Sequence, residues 1–388
     1  MKNTLEILSR LIAFDTTSRY SNLELIQWVA DYLHERNVDS VLTYDGAGEK
    51  ANLFATIGSS DTPGYVLSGH TDVVPVDGQQ WTTDPFKAEV RDEKLYGRGA
   101  CDMKGFIAVC LAQLDNIVAA GLDTPIHFAF SYDEEVGCVG VNGLLADLKA
   151  RGISPKGCII GEPTSMQIVR AHKGMFFQRC CVHGKSAHSS LVHHGVNAVT
   201  QAAKAIHFID DMACEIQREG PFDHEFDPPY TTLHCGVVNG GTANNIIPNR
   251  CEFDFEIRNL PQHNPLPLFE QIRHYTDRQL QPVMQAVDPS CGFEWTELAR
   301  FPGMDTDSDA PLVTMVADLL GQDQAPGKVS YGTEGGLFQQ SGVETLICGP
   351  GSIEQAHKPD EYVALSQLQN CFQFLTALLQ SLSDSQGT

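Results

Sequence analysis

Several side chains in this sequence have types and spacings suited to metal-assisted hydrolysis. His70 and Asp72 close the apolar run "YVLSGHTD", and Asp102 sits in the Gly-rich turn "YGRGACDMKG". Glu134 and Glu135 follow "IHFAF", Glu162 ends "CIIGEP", and His357 lies in "GPGSIEQAHKPDE". Like charges set side by side, as in Asp133, Glu134 and Glu135, repel one another and are costly to desolvate. A cation would offset that cost. Mixed imidazole and carboxylate ligation suits zinc, with cobalt or manganese as substitutes. His70, Asp102, Glu135, Glu162 and His357, one carboxylate being shared, would serve two cations about 3.5–4 Å apart that activate an attacking water. Adjacent residues at a strand end diverge, so Glu135 can bind metal while Glu134 stays free as a base.

Taken singly, each residue has a plainer explanation. His70 reads equally as a hydrogen-bonded core histidine, Asp102 as a helix N-cap, Glu162 as a loop charge and His357 as a surface residue. Together they are harder to dismiss, because buried charges without counter-ions do not persist.

The elements that must position these groups alternate along the first part of the chain. Helical periodicity runs over 4–36 with a break at "FDTTSRYS". Strands are expected at "SVLTY", "NLFATIG", "GYVLSGHTD", "IHFAFSYDEE" and "GCIIGEP", and helices at "DMKGFIAVCLAQLDNIVAAG" and "GVNGLLADLKARG". This alternation predicts a mostly parallel sheet covered by helices, with ligands gathered beyond the carboxyl ends of strands. Two residues apart on one strand, His70 and Asp72 would share a face.

From about Gly174 the order changes to strand "MFFQRCCVHG", a helix over 197–217, strands "TTLHCGVVNGG" and "CEFDFEIR", a helix over 267–280 and strand "GFEWTEL". That βαββαβ order is the split-βαβ arrangement of a small two-layer domain. Helix "APLVTMVADLLG", short strands around "VSYGTE" and "ETLICGPG", and a last helix through "LQNCFQFLTALLQSL" resume the first pattern. The predicted organisation is a catalytic domain in two parts, 1–174 and 299–388, interrupted by an inserted domain over 175–298.

With 388 residues and 42% hydrophobic content, the chain can build one large core or two ordinary ones. A formal charge of −23 argues against nucleic acid and against an anionic membrane as partner. Neither a signal peptide nor a bilayer-length apolar run is legible, so a cytoplasmic location is expected. The 12 Cys contain no CxxC, which fits reduced thiols rather than a disulfide framework or a cysteine zinc site.

The motifs "SGHTDVVPVDG", "LYGRGACDMKG", "SYDEEVG", "GEPT", "GKSAHSS" and "GPGSIEQAHKPDEYV" resemble those of the M20 metallopeptidase family, in order and over nearly the whole chain. "YGTEGGLF" and the C-terminal motif look closest to its acetylornithine deacetylase branch. The resemblance implies a zinc-exopeptidase-like α/β fold whose inserted ferredoxin-like domain serves as lid and homodimer contact. It implies two divalent metal ions, zinc first and cobalt as a substitute. His70, Asp102 and Glu162 would hold one and Asp102, Glu135 and His357 the other, with Asp102 bridging. Asp72 would fix the tautomer of His70, Glu134 would be the general base, and the peptide after Asp102 would be cis.

It further implies that His188 of the partner subunit stabilises the oxyanion, and that Asn244, Asn245 and Arg258 grip a substrate carboxylate. His188 and Arg258 read equally well as ordinary surface residues. "LVHHG" replaces the proline loop common after "AHSS" in relatives. Glu334 is a candidate contact for a cationic substrate side chain, or a local helix cap. The implied reaction is hydrolysis of N2-acetyl-L-ornithine, a step of arginine biosynthesis. Deacetylation of N-acetylcitrulline, desuccinylation of succinyl-diaminopimelate, and aminoacylase or dipeptidase activity are the alternatives within the family. Outside enzymes stand a catalytically inert metal-binding dimer, which leaves Glu134 without a purpose, and a scaffold dimer, which leaves the donor set unexplained.

Overall fold

The computed structural model describes residues 1–59, 62–321 and 325–384. The chain divides into two compact units. Unit 1 comprises Met1–Ala171, Met304–Lys328 and Thr333–Thr388, and unit 2 comprises His172–Gly303 and Val329–Gly332.

Unit 1 is built on a mixed sheet. Its middle strands, Ile126–Ser131, Tyr65–His70, Gly157–Pro163 and Glu344–Gly349, are neighbours in that order and all parallel. Every residue of the first three is buried, as near-continuous apolar runs require in a sheet covered on both faces. Antiparallel strands flank them: Ala51–Ile57 and Ser40–Tyr44 on one side, and the short strand Val169–His172 on the other. The alternation in sequence correctly indicates the parallel centre, but periodicity does not reveal the antiparallel edges, where Ala51–Ile57 pairs with Ile126–Ser131 and Val169–His172 with Glu344–Gly349 from far along the chain.

The helix Lys104–Ala120 lies in the core, with Phe106, Ile107, Leu111 and Leu114 closed to solvent. A Cβ on Gly161 would come within about 2.0 Å of the Phe106 ring, so only glycine lets this helix approach strand Gly157–Pro163. The terminal helices Lys2–Ile12 and Leu365–Asp384 bury Leu8, Leu11, Phe374 and Leu378 in the same core.

Unit 2 has the βαββαβ order expected from the sequence. Its antiparallel sheet runs Thr232–Gly240, Arg250–Asn259, Gly174–His183, Gly292–Phe301. The long helix Ala198–Glu219 and the helix Leu266–Tyr275 close one face around Phe176, Phe253, Phe255 and Ile272.

Several elements differ from expectation. "VSYGTE" is not a continuous strand; pairing ends at Val329 and the next helix is Gly335–Gln340. The helix expected over 267–280 ends at Tyr275 and passes through a π turn, Thr276–Leu280, into Gln281–Gln285. A small sheet of Glu89–Arg91, Lys94–Tyr96 and Tyr362–Ala364 carries no strong periodic signal. All twelve cysteines are free thiols, and among the described residues no helix is long and apolar enough to cross a membrane.

Candidate metal centre

The donors named from the sequence in unit 1 do converge. His70, Asp102 and Glu162 form one group and Asp102, Glu135 and His357 a second, the donor atoms of each lying within 4.8 Å of one another. Asp102 belongs to both. Its Oδ1 is 3.0 Å from Nε2 of His70, and its Oδ2 is 3.2 Å from Nε2 of His357. Glu162 approaches His70 Nε2 at 3.6 Å, and Glu135 approaches His357 Nε2 at 3.1 Å.

The strand Tyr65–His70 ends on His70, so Asp72 lies beyond it rather than on its face. Nδ1 of His70 sits 2.9 Å from the backbone carbonyl of Asp72 and 3.5 Å from its carboxylate. A carbonyl oxygen can only accept, so Nδ1 carries the hydrogen and Nε2 keeps its lone pair for a metal. The Asp72 carboxylate is occupied elsewhere: it accepts from Ser18 Oγ at 2.7 Å and from the backbone N–H groups of Glu134 and Glu135 at 3.1 and 3.3 Å. Asp72 therefore holds the "DEE" turn as well as His70, a link the sequence reading did not contain. The third acid, Asp133, at φ 52°, is paired with Lys50 at 2.6 Å.

The electrostatics explain how such a row persists. Burial pushes the carboxyls of Glu134, Glu135 and Glu162 up, and neighbouring carboxylates push them further. Burial also opposes ionisation of Asp102, but the neighbouring imidazoles of His357 and His70 outweigh it and hold its carboxyl low. His357, bonded to Asp102 and Glu135, is raised to about 10. A buried acidic cluster that recruits protons is deficient in positive charge. Dications would meet that deficit, and the donor set, imidazole nitrogen plus carboxylate oxygen with one carboxylate facing both groups, fits them.

The peptide Asp102–Met103 is cis. Cys138 Sγ donates to Glu134 Oε1 at 3.4 Å, and no sequence motif singled it out. Arg98 and Glu361 were missed too. They form a 2.7 Å ion pair, each 1% exposed, beside the Asp102 turn. A buried Arg–Glu pair distant in sequence has no periodic signature.

Glu334 is not where the sequence reading put it. Its side chain is buried, and its two oxygens accept from Ser68 and Ser131 hydroxyls on adjacent strands. It makes no side-chain cap for the helix it precedes. Its burial at 1% exposure and its bonds to two hydroxyls inside unit 1 give it a structural role and argue against the substrate contact.

In unit 2, His188, Asn244 and Asn245 are exposed and adjacent. His188 bridges Ile246, and Ser189 N–H donates to the Asn245 carbonyl at 3.0 Å. The N–H of Ser190 donates to Nδ1 of His188 at 3.2 Å, so Nδ1 is the acceptor and Nε2 bears the hydrogen in the neutral ring. Arg258 Nε donates to Glu256 at 3.0 Å on the open face of the sheet.

Residues 66–381 match peptidase family M20/M25/M40. A protein of Pasteurella multocida named acetylornithine deacetylase is 34% identical over 383 residues, covering 97% of each chain. The crystal structure of an M20 family metallo-carboxypeptidase from Sulfolobus solfataricus superposes with a TM-score of 0.78 at 18% identity, covering 99% of this chain and 100% of that one. A dinuclear metal binding peptidase from the M20 family of Bacillus subtilis gives 0.64 at 15% identity, covering 99% of both.

Proposed function

Since the chain belongs to peptidase family M20/M25/M40, we propose that it is the member that hydrolyses N2-acetyl-L-ornithine to L-ornithine and acetate. Metal-dependent amide hydrolysis comes with the family; the substrate is our assignment. The observation that carries it is the full-length similarity to a protein named acetylornithine deacetylase. The intact donor cluster, with the Glu134 carboxylate beside it and accepting from the Cys138 thiol, supports catalysis over metal storage.

His70, Asp102 and Glu162 would hold one divalent cation and Asp102, Glu135 and His357 the other, zinc being the metal these donors favour. When bound, such cations polarise an acyl carbonyl and make water a nucleophile at neutral pH. Glu134 takes the proton of the attacking water and delivers it to the amine nitrogen as the C–N bond breaks. Water oxygen thus ends in acetate and its proton on ornithine. Asp72 holds His70 in the Nε2-ligating tautomer and pins the turn that aims Glu134.

His188 of the partner subunit donates its Nε2–H to the oxyanion. Asn244, Asn245 and Arg258 bind the α-carboxylate, and that lid must close before chemistry. A homodimer through the inserted domain follows from this role. The edge strand Thr232–Gly240 supports it, since Val237 and Val238 there are half exposed.

The test is amine release from N2-acetylornithine, N2-acetylcitrulline, acetylmethionine, N-succinyl-diaminopimelate and a dipeptide, with metal-free and zinc-loaded protein. The highest kcat/KM is expected for acetylornithine, and only with metal. A higher value for another member of the panel reassigns the substrate, and no turnover of any by zinc-loaded protein ends the proposal.

A further inference from the structure

Glu361 lies four residues beyond His357 and is closed to solvent. Its carboxylate accepts four hydrogen bonds, the number its lone pairs allow. Oε1 accepts from the backbone N–H groups of Cys101 at 2.8 Å and Asp102 at 3.0 Å. Oε2 accepts from Gly99 N–H at 3.0 Å and from Arg98 Nη1 at 2.7 Å. One side chain therefore holds the whole turn that presents Asp102.

The same residue anchors the other end. It terminates the loop bearing His357, which is held at φ 63°, a conformation costly for a residue with a Cβ and so in need of tertiary support. Arg98 Nη2 donates to Gln79 Oε1, and Gln79 Nε2 donates to the carbonyl of His357 at 2.9 Å. A closed chain results: Asp102 N–H to Glu361, Glu361 to Arg98, Arg98 to Gln79, Gln79 to His357. From Glu361, His70 is reached through Asp102, whose Oδ1 lies 3.0 Å from its Nε2, whereas His357 is reached twice, through Asp102 Oδ2 and through Arg98 and Gln79. His357 is also the ligand with most to lose, for its side chain is 53% exposed while that of His70 is 1% exposed.

We propose that Glu361 and Arg98, with Gln79, are positioning residues that preorganise Asp102 and His357 and so set the metal affinity of the Asp102–Glu135–His357 group. This inference rests on the two-metal reading above. Breaking hydrogen bonds that orient metal ligands lowers affinity about 10–100-fold. Glu361→Gln replaces one of the two acceptor oxygens with a donor and leaves at least one N–H of the turn unpaired. Gln79→Ala, at a partly exposed position, cuts the link to His357 and the acceptor for Arg98 Nη2 and the Trp81 indole, but leaves every bond of Glu361 to the Asp102 turn in place.

The experiment is zinc titration of the purified full chain against a competing chelator dye, reading equivalents bound and their dissociation constants. Wild type is expected to bind two equivalents. Glu361→Gln should weaken one equivalent about 10–100-fold and the other less, because Asp102 serves both groups while His357 is additionally held through Arg98 and Gln79. Gln79→Ala should weaken the same equivalent about 10-fold, with an unchanged melting temperature for the metal-free protein. In both, kcat should return towards wild type as free zinc is raised. Two wild-type-like constants in Gln79→Ala and in folded Glu361→Gln overturn the inference. Equal weakening of both equivalents also overturns it, because that pattern means general disorder of the cluster. Wild type that binds no zinc overturns the two-metal reading itself, and this inference with it.

Discussion

His70, Asp102 and Glu162 in unit 1 are closed to solvent, and each has a donor or acceptor of another member of the cluster within reach. His188, Asn244 and Asn245 in unit 2 stand exposed, and the contacts that hold His188 come from its own loop and the segment it pairs with. The difference follows from desolvation. Charges removed from water must be matched on the spot, so the buried set is over-determined by the residues around it. Exposed polar groups cost little to keep, and they do chemistry only when another molecule arrives to cover them. Substitutions in the two regions should differ accordingly, all or none in the first and graded in the second.

The largest contrast should come from Glu134→Gln. The amide cannot accept a proton, so kcat should fall about 10³-fold, as loss of a general base does. Bound zinc, read by elemental analysis, should not change, because Glu134 is outside both donor groups. Retained activity would remove the base from this site and with it the contrast between the units.

A stability effect should follow at the other end of the same strand. His127 is stacked on Phe54 and buried, and burial, assisted by Arg151, lowers its imidazole to about 4. Below about pH 6.5 the unfolded chain takes a proton that the folded chain refuses until about pH 4. The contribution of this group is therefore complete above pH 6.5 and is lost as pH falls towards 4, by about 3 kcal/mol in all. Urea midpoints for wild type and His127→Gln at pH 7 and 4.5 test it. The variant should lose less stability on acidification, and parallel losses would show that unit 1 tolerates buried charge away from the donor cluster.

The smallest effect belongs to unit 2. His188→Ala should lower kcat about 10²-fold, the scale for removal of one oxyanion donor, while leaving bound zinc and the melting temperature unchanged. Mixing it with Glu134→Gln sharpens the comparison. In a dimer that shares residues across subunits, two inactive variants should recover activity on mixing. Activity that stays at the sum of the separate variants would make His188 a surface residue.

Much of the candidate site was legible because its members fall where strands end: His70 after "YVLSG", Glu162 after "CIIG", Glu134 and Glu135 beyond "IHFAFS". Arg98, Glu361, Ser18 and Cys138 were not legible, since their partners are backbone N–H groups or side chains far off in sequence or outside any periodic pattern. Glu334 was misread for a related reason. In "GTEGG" it reads as a contact for a cationic substrate side chain or a helix cap, and the adjacency of Ser68 and Ser131 on neighbouring strands shows that two hydroxyls receive it.

Sequence alone determined the alternation of elements, the split-βαβ insert and the ligand types, since hydrophobic period and side-chain chemistry are local properties. Which carboxylate faces two imidazoles, which acid is turned inward and which pair braces the turn were decided by tertiary structure. Those choices are made by distances between strands and loops that are remote along the chain, and a hydrogen bond responds to a few tenths of an ångström.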